Sequence, residues 1–212
     1  MTFLHPHDRI LFQGDSITDA FRKPDEINNA YQLGAGYVLL IAAELLAARP
    51  RDGLLFFNRG ISGNRVADLR ARWQVDCLDL EPSVLNLLVG VNDTALQVAG
   101  VAGSSVAEYA DQYRQLLEQT RRARPSVRFI LCEPFLLRAG KVTEDWVRDL
   151  AARRAVVKDL AREYHAVFVP FQAAFDQAAT QAPAVYWSYD GVHPTAAGFG
   201  LMARVWLDTL AG

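Results

Sequence analysis

The stretch Phe12-Gln13-Gly14-Asp15-Ser16-Ile17-Thr18-Asp19 is the starting point for interpreting both the fold and the chemistry of this sequence. The apolar run that leads into it, Ile10-Leu11-Phe12, is typical of a buried strand, and Gly14 closes that run. Ser16 therefore stands where a strand passes into a loop, a position that suits a nucleophile. A neutral hydroxyl needs a base and a site for the oxyanion, so the remaining chain has to supply both.

Apolar runs alternate with helical patterns along the 212 residues. Strands are predicted at residues 9–13, 54–58, 83–89, 127–132 and 166–169. Helices are predicted at residues 36–49, 66–80 and 105–123, from an N-cap at Thr143, and from Pro194 in a first turn to about Leu210. This alternation, without a repeat or linker, predicts one α/β domain over residues 1–212. We expect a three-layer α/β/α sandwich with a five-stranded parallel sheet in the flavodoxin-like order 2-1-3-4-5.

The composition is typical of a compact soluble globule, with 51% hydrophobic and 22% charged residues. The formal net charge of −2 does not provide the basic field that nucleic acid or an anionic membrane requires. The longest apolar run, residues 37–48, is interrupted by Glu44 and is too short to cross a bilayer. Neither nucleic acid nor a membrane is expected as a partner.

The first eight residues, Met1-Thr2-Phe3-Leu4-His5-Pro6-His7-Asp8, lack the basic and apolar segments of a signal peptide. Cys77 and Cys132 do not have the spacing of a metal site, so we expect two reduced, partly buried thiols. These features predict a cytoplasmic protein. Export of a form whose leader has been removed is left open as the alternative.

Small and polar residues follow three of the predicted strands. They are Gly14-Asp15-Ser16, Asn58-Arg59-Gly60-Ile61-Ser62-Gly63 and Gly90-Val91-Asn92-Asp93. In the order 2-1-3 these strand ends are neighbours about 4.8 Å apart, with Ser16 on the middle strand. The Gly60 N–H and the Asn92 side-chain amide are therefore predicted as oxyanion donors. The structural alternatives are a loop hydrogen bond for Asn92 and a positive φ for Gly60.

The base is expected among four histidines. His5 and His7 lie in a predicted flexible N-terminus, and His165 follows a helix, where a cation at the helix end explains it. His193 lies in Asp190-Gly191-Val192-His193-Pro194, and this spacing lets Asp190 accept the Nδ1–H while Nε2 faces the serine. A structural turn before the last helix is the alternative.

Four further residues are candidate substrate contacts: Asp15, Arg59, Ile61 and Trp187. Trp187, in the run Tyr186-Trp187-Ser188-Tyr189, offers a flat face to a sugar ring, whereas packing is favoured for the two tyrosines. Asp15 and Asp93 are more consistent with hydrogen bonds inside their loops, and a solvated side chain is the commoner case for an arginine such as Arg59. The loops at residues 94–104 and 135–141 are expected to flank the cleft.

Gly14-Asp15-Ser16-Ile17, Gly60 in Asn-Arg-Gly-Ile-Ser-Gly, Asn92 in Gly-Val-Asn-Asp and the Asp190–His193 pair resemble the four blocks of the SGNH (GDSL-type) hydrolases. The blocks occur in the family's order over residues 14–193, and Ile17 is a conservative replacement of the family's leucine. The resemblance implies an α/β/α sandwich and an esterase that uses no metal or cofactor. It also implies Ser16 as nucleophile, His193 as base and Asp190 as its orienting acid. The oxyanion hole would be the Ser16 and Gly60 N–H groups with the Asn92 amide.

Longer stretches, at residues 12–20, 60–73 and 192–198, are similar to bacterial acetylxylan esterases of this superfamily. That similarity implies a small acetylated, xylose-containing saccharide as substrate, and homo-oligomers are common among the resembling esterases. The alternatives are a lysophospholipase, a thioesterase or a broad-specificity arylesterase of the same superfamily. A non-catalytic saccharide-binding or scaffold protein is the alternative from another class.

Overall fold

The sheet of this protein has five parallel strands. A computed structural model of the chain describes residues 3–24, 30–101 and 105–211. The strands are β1 (Arg9–Gly14), β2 (Leu55–Asn58), β3 (Val84–Leu88), β4 (Arg128–Cys132) and β5 (Val167–Val169). Their order is β2-β1-β3-β4-β5, and every neighbouring pair is parallel. The predicted order is confirmed, and no strand boundary differs from its prediction by more than one residue.

The helices cover the two faces and the carboxyl end of the sheet. They are α1 (Ser16–Asp19), α2 (Tyr37–Ala48), α3 (Val66–Asp76), α4 (Val91–Val98), α5 (Val106–Ala123), α6 (Glu144–Glu163), α7 (Phe171–Ala179), α8 (Ala184–Trp187) and α9 (Ala196–Ala211). Four of them, α1, α4, α7 and α8, were not predicted. The helix predicted at residues 66–80 is α3 followed by a separate 3₁₀ turn at Leu78–Leu80.

The alternation of side chains along the strands produces the three layers. On β1, Ile10 and Phe12 join the core cluster that α2, α7 and α9 cover, whereas Leu11 joins the cluster under α3 and α5. All five residues of β3 are buried, as expected for a strand that is covered on both faces. The predicted α/β/α sandwich is therefore confirmed.

The start of the last helix differs from its prediction. α9 begins at Ala196, and Pro194 forms an antiparallel bridge with Ser188 instead of occupying the first helical turn. The Thr195 hydroxyl accepts the Gly198 N–H at 3.3 Å, and the Thr195 N–H donates to the Trp187 carbonyl at 2.9 Å. Residues 188–195 thus fold back as a hairpin, and that hairpin contains His193.

His7, Cys77 and Cys132 have surroundings that differ from those predicted. His7 precedes β1, and its backbone N–H donates to the Asp52 carbonyl at 2.6 Å. The segment predicted to be flexible is therefore hydrogen-bonded at His7 to the chain before β2. Cys77 and Cys132 are free and fully buried, not partly buried as predicted. Among the described residues, no cluster of His, Cys, Asp and Glu suits a metal ion, and no helix has the length and apolar character to cross a bilayer.

Candidate active site

Ser16, His193 and Asp190 form a chain of hydrogen bonds at the carboxyl end of the sheet. The Ser16 Oγ lies 2.9 Å from His193 Nε2, and His193 Nδ1 lies 2.7 Å from Asp190 Oδ2. With the proton on Nδ1, the ring donates to the carboxylate while Nε2 accepts from the serine hydroxyl. The structure brings together the three residues that the sequence singled out, in an arrangement that can activate a hydroxyl.

The Asp190 carboxylate is oriented by the turn that it begins. Its Oδ1 accepts the Val192 N–H at 2.9 Å and the His193 N–H at 2.7 Å. Partial burial alone would raise the pKa of Asp190, but the hydrogen bonds from the His193 backbone and ring and from Val192 keep that pKa below its usual value. Asp190 is therefore ionised at neutral pH and stabilises a positive charge on the imidazole.

The loop at residues 135–141 supports this turn from behind. Gly191 has a φ of +87°, and a Cβ there would lie 2.5 Å from the Leu137 carbonyl oxygen. The Leu137 N–H donates to the Gly191 carbonyl at 2.8 Å. Among the described residues, none of this loop lines the cleft over Ser16. The loop therefore fixes the Asp190 turn instead of flanking the cleft as predicted.

The second loop predicted to flank the cleft, residues 94–104, begins as part of a helix. Residues 94–98 belong to α4, and residues 102–104 lie outside the described part of the chain. Thr94 is fully buried, and its hydroxyl donates to the Asp149 carboxylate at 2.6 Å. This segment packs against α6, and its described residues do not line the cleft.

Asp15 is a structural residue of the turn that presents Ser16. Its side chain caps α1 by accepting the Ile17 N–H at 3.0 Å, which places Ser16 at the first helical position. Asp15 is 1% exposed, which favours its structural role over the predicted substrate contact. Burial raises the pKa of Asp15 to about 7, and the negative charge of Asp93 adds to the shift.

Asp15→Asn should change how stability depends on pH. Because burial raises the pKa of Asp15 from 3.8 to about 7, the native protein keeps a proton that the unfolded chain loses as pH rises through this window, so stability falls. Asparagine keeps the oxygen that accepts the Ile17 N–H but carries no charge. The unfolding free energy of the variant minus that of wild type should therefore rise by up to about 4 kcal/mol from pH 4 to pH 7.5.

Urea denaturation at the two pH values measures this gain. Asp111→Asn is the matched control, since that carboxylate is 73% exposed on α5. The same Asp15→Asn difference at both pH values would contradict a buried carboxyl that titrates between them.

Gly60 is held in place by a buried asparagine. The Gly60 N–H donates to Asn58 Oδ1 at 2.9 Å, and the Asn58 amide donates to the carbonyls of Thr18 and Leu33 at 2.6 and 2.8 Å. As an oxyanion donor, the Gly60 N–H would have to be shared with Asn58. The sequence predicts Asn58 only as the polar end of an apolar strand. That polarity is the one feature of the sequence that could have indicated a role for Asn58 in the site.

The requirement for glycine at position 60 is close approach, not a positive φ. Gly60 is not among the glycines with positive φ, and a Cβ there would lie 2.3 Å from the Asp19 backbone nitrogen. Gly60→Ala should therefore destabilise the protein by about 1–3 kcal/mol. It should also lower kcat/KM for 4-nitrophenyl acetate, because the added Cβ displaces the backbone of α1, the helix that begins at Ser16.

Gly200→Ala is the matched control for this variant, since nothing lies within 4 Å of a Cβ at that helical position. Urea denaturation and initial rates compare the two. Equal stability and activity would contradict the close approach of Gly60 to α1.

Asn92 lies in the first turn of α4, the helix that follows β3. The register pairs Gly14 with Leu88, so the ends of β1 and β3 are adjacent. The Asn92 Nδ2 donates to the Asn64 carbonyl at 3.1 Å. This is a loop hydrogen bond of the kind given above as the structural alternative for Asn92. An amide nitrogen carries two hydrogens, so this bond orients the side chain and leaves a second N–H to donate.

A cleft of about 300 Å³ lies over Ser16 and His193. The other residues that line it include Asp19, Phe21, Ser62, Tyr189 and Phe199. The Tyr189 ring stacks on the His193 ring with centroids 5.7 Å apart and planes 13° apart. Two larger apolar grooves, of about 680 and 760 Å³, lie beside α2 and contain neither Ser16 nor His193.

The other three predicted substrate contacts lie outside this cleft. Trp187 ends α8 and packs against the core, with its carbonyl close to Gly198 of α9. Arg59 points to Asp76, with 3.8 Å between Nε and a carboxylate oxygen. The Ile61 N–H donates to the Gly14 carbonyl at 3.1 Å and so continues the pairing of β1 with the chain after β2. Within the run 186–189, Tyr189 lines the cleft and Trp187 does not, although the sequence favoured packing for Tyr189.

Comparison with known proteins shows the family of this chain. Residues 12–201 match the sequence model of the GDSL-like lipase/acylhydrolase family. The chain belongs to this family. It is 34% identical over 203 residues to an acetylxylan esterase of Geobacillus stearothermophilus, covering 94% of this chain and 92% of that protein.

Solved structures of similar proteins share the whole fold. An acetylxylan esterase from Geobacillus stearothermophilus superposes with a TM-score of 0.89 at 32% identity, covering 98% of this chain and 96% of that one. A protein from Parabacteroides merdae, described as GDSL-like, gives a TM-score of 0.94 at 41% identity, covering 100% and 99% of the two chains. This GDSL-like chain is a carboxylic ester hydrolase.

Proposed function

We propose that this protein is a serine esterase that removes O-acetyl groups from xylo-oligosaccharides through an acyl-enzyme, with Ser16, His193 and Asp190 as its catalytic triad. The observation that carries the proposal is the hydrogen-bond chain from the Ser16 hydroxyl through the His193 ring to the Asp190 carboxylate, at 2.9 and 2.7 Å. The similarity to an acetylxylan esterase along nearly the whole chain supports the choice of substrate. Structures of that esterase include catalytic mutants in which a serine or an aspartate is replaced by alanine, which supports the same types of residue here.

In the first step the Ser16 Oγ attacks the acetyl carbonyl carbon, and His193 Nε2 takes the hydroxyl proton. The imidazolium that forms is stabilised by Asp190 at 2.7 Å. The new oxyanion accepts hydrogen bonds from the Ser16 N–H and from the second N–H of the Asn92 amide. The Gly60 N–H, which Asn58 already orients, contributes as a shared donor.

Collapse of this intermediate breaks the bond between the acetyl carbon and the sugar oxygen. His193 Nε2–H gives its proton to that oxygen, so the saccharide leaves as a neutral alcohol. A water molecule then loses a proton to His193 and attacks the acetyl-serine ester. The same donors stabilise the second oxyanion, whose collapse breaks the bond between the acetyl carbon and the Ser16 Oγ. His193 returns the proton to that oxygen, so the Ser16 hydroxyl is restored and the acid leaves and ionises to acetate.

Asn92→Ala should lower kcat for 4-nitrophenyl acetate by about 10² to 10³, because it removes one donor that acts only on the oxyanion. The unfolding midpoint should stay near that of wild type, since one loop hydrogen bond to Asn64 is lost. Initial rates and thermal unfolding of the purified variant measure both effects. A lower midpoint with wild-type kcat would instead assign Asn92 a purely structural role.

The length of the acyl group separates this proposal from a lysophospholipase or thioesterase. A cleft of about 300 Å³ is at the small end of ligand sites and suits an acetyl group on a sugar better than a long chain. We expect kcat/KM to fall from nitrophenyl acetate to butyrate to octanoate. Acetate release from acetylated xylo-oligosaccharides should exceed that from other acetylated sugars. A preference for octanoate would contradict the proposal.

We also propose that the protein acts as a homo-oligomer in the cytoplasm. The apolar side chains of Leu40, Leu46 and Leu55 are 42–46% exposed on α2 and β2, beside the two large grooves, and self-association would cover them. The free thiols of Cys77 and Cys132 are consistent with a reducing compartment. Light scattering of the purified protein measures the assembly.

A further inference from the structure

Phe21 is an apolar side chain that the fold leaves in solvent at the edge of the active-site cleft. Its side chain is 90% exposed, although Ala20 beside it is 4% exposed. Phe21 lines the same cleft as Ser16 and His193. An exposed phenylalanine gives the folded protein none of the stabilisation that burial would provide, so its position calls for another explanation.

The backbone holds Phe21 in this position. Ala20 and Phe21 have φ values of 42° and 60°, in the left-handed region that bulky residues rarely adopt. The Ala20 N–H donates to the Ser16 carbonyl at 3.0 Å, and the Ala20 carbonyl accepts the Ala35 N–H at 2.7 Å. The turn is therefore fixed on both sides, and it directs the Phe21 side chain away from the core. Backbone strain of this kind is concentrated at functional sites.

A second exposed aromatic residue lines the cleft on the side of the catalytic histidine. Tyr189 is 61% exposed, and its ring stacks on that of His193. Phe21 and Tyr189 belong to different segments, one after α1 and one before the Asp190 turn, and both line this cleft. Ser62 and Asp19 add polar groups to the same lining.

We propose that Phe21 is a specificity-determining residue whose ring stacks on the pyranose ring that carries the scissile acetyl ester. This inference rests on the proposed deacetylation of xylo-oligosaccharides. An aromatic face packs well against the C–H face of a sugar, and a xylopyranose ring has no hydroxymethyl group to hinder that contact. An acetyl group is too small to need an exposed ring, so Phe21 acts on the saccharide, which is the leaving group.

The readout is a specificity ratio, namely kcat/KM for acetylated xylotriose divided by kcat/KM for 4-nitrophenyl acetate. Phe21→Ala should lower this ratio by about five- to tenfold, mainly through a higher KM for the saccharide. Phe21→Leu, which keeps apolar bulk without a ring, should lower it similarly, whereas Phe21→Trp should retain it. Because Phe21 is 90% exposed, these variants should fold, and thermal unfolding verifies this.

Tyr186→Ala is the matched control, since Tyr186 is 56% exposed and does not line the cleft. Its ratio should equal that of wild type.

If wild type hydrolyses the nitrophenyl ester but releases no acetate from acetylated xylotriose, the proposed function fails and this inference fails with it. If wild type acts on the saccharide and Phe21→Ala or Phe21→Leu keeps the wild-type ratio, only the stacking role of Phe21 is overturned. A changed assembly in light scattering with an unchanged ratio would make Phe21 a subunit contact instead.

Discussion

Replacing Ser16 with alanine should lower kcat for 4-nitrophenyl acetate by about 10⁴ to 10⁶. The variant loses the atom that forms the acyl-enzyme, and His193 is left without a hydroxyl to activate. The residual rate would come from binding and from the oxyanion donors alone. Its unfolding midpoint should match that of wild type, because the Ser16 hydroxyl makes one side-chain hydrogen bond, at 2.9 Å to His193. Initial rates at high enzyme concentration and thermal unfolding measure the two quantities.

Ser62→Ala is the matched control, since it removes another hydroxyl from the same cleft. Its kcat should stay within about tenfold of wild type, because the His193 ring is hydrogen-bonded to the Ser16 hydroxyl and not to that of Ser62. A Ser16→Ala variant that kept more than a few per cent of wild-type kcat would mean that another group carries out the attack.

Asp190→Asn should lower kcat by about 10⁴ while the turn stays folded. The asparagine Oδ1 can still accept the Val192 and His193 N–H groups, which hydrogen-bond to Asp190 at 2.9 and 2.7 Å. The new amide N–H, however, donates to His193 Nδ1 and moves the ring proton to Nε2. The ring then cannot accept the serine proton.

Asp190→Ala distinguishes the two tasks of this carboxylate. It should lose activity and also destabilise the protein, because the two backbone N–H groups of the turn lose their acceptor. Asp111→Asn, an exposed change on α5, should leave kcat unchanged. A loss of less than tenfold in Asp190→Asn would show that the carboxylate does not set the tautomer of His193.

The sheet could be predicted from the sequence because its strands are short continuous apolar runs. β3 is buried on both faces, so its sequence is apolar except for Asn86. The ends of this apolar run therefore mark the ends of the strand. The order followed from the rules for parallel crossovers. The helices α1 and α8 could not be predicted, because four residues give no periodicity, and their hydrogen bonds depend on the neighbouring strand ends and on α9.

The hydrogen-bonded set of Ser16, His193 and Asp190 could be predicted because each member lies in a local motif. The parts of the site that depend on tertiary packing could not. Asn58 orients Gly60 only because Thr18 and Leu33 come near it from other segments. Trp187, a predicted substrate contact, lies at the end of α8 close to Gly198, whereas Tyr189, two residues later, lines the cleft. Phe21 had no signal in the sequence, since its exposure follows from the left-handed turn at Ala20.

Covalent labelling tests the central claim, that Ser16 is the nucleophile of this esterase, most directly. The protein is treated with a serine-directed fluorophosphonate, and the labelled peptide is identified by mass spectrometry while residual activity on 4-nitrophenyl acetate is followed. We predict one label per chain, on Ser16, with activity lost in proportion to labelling and no label in Ser16→Ala. Full activity in the labelled protein, or a label on a different residue that accounts for the inactivation, would contradict the assignment of Ser16.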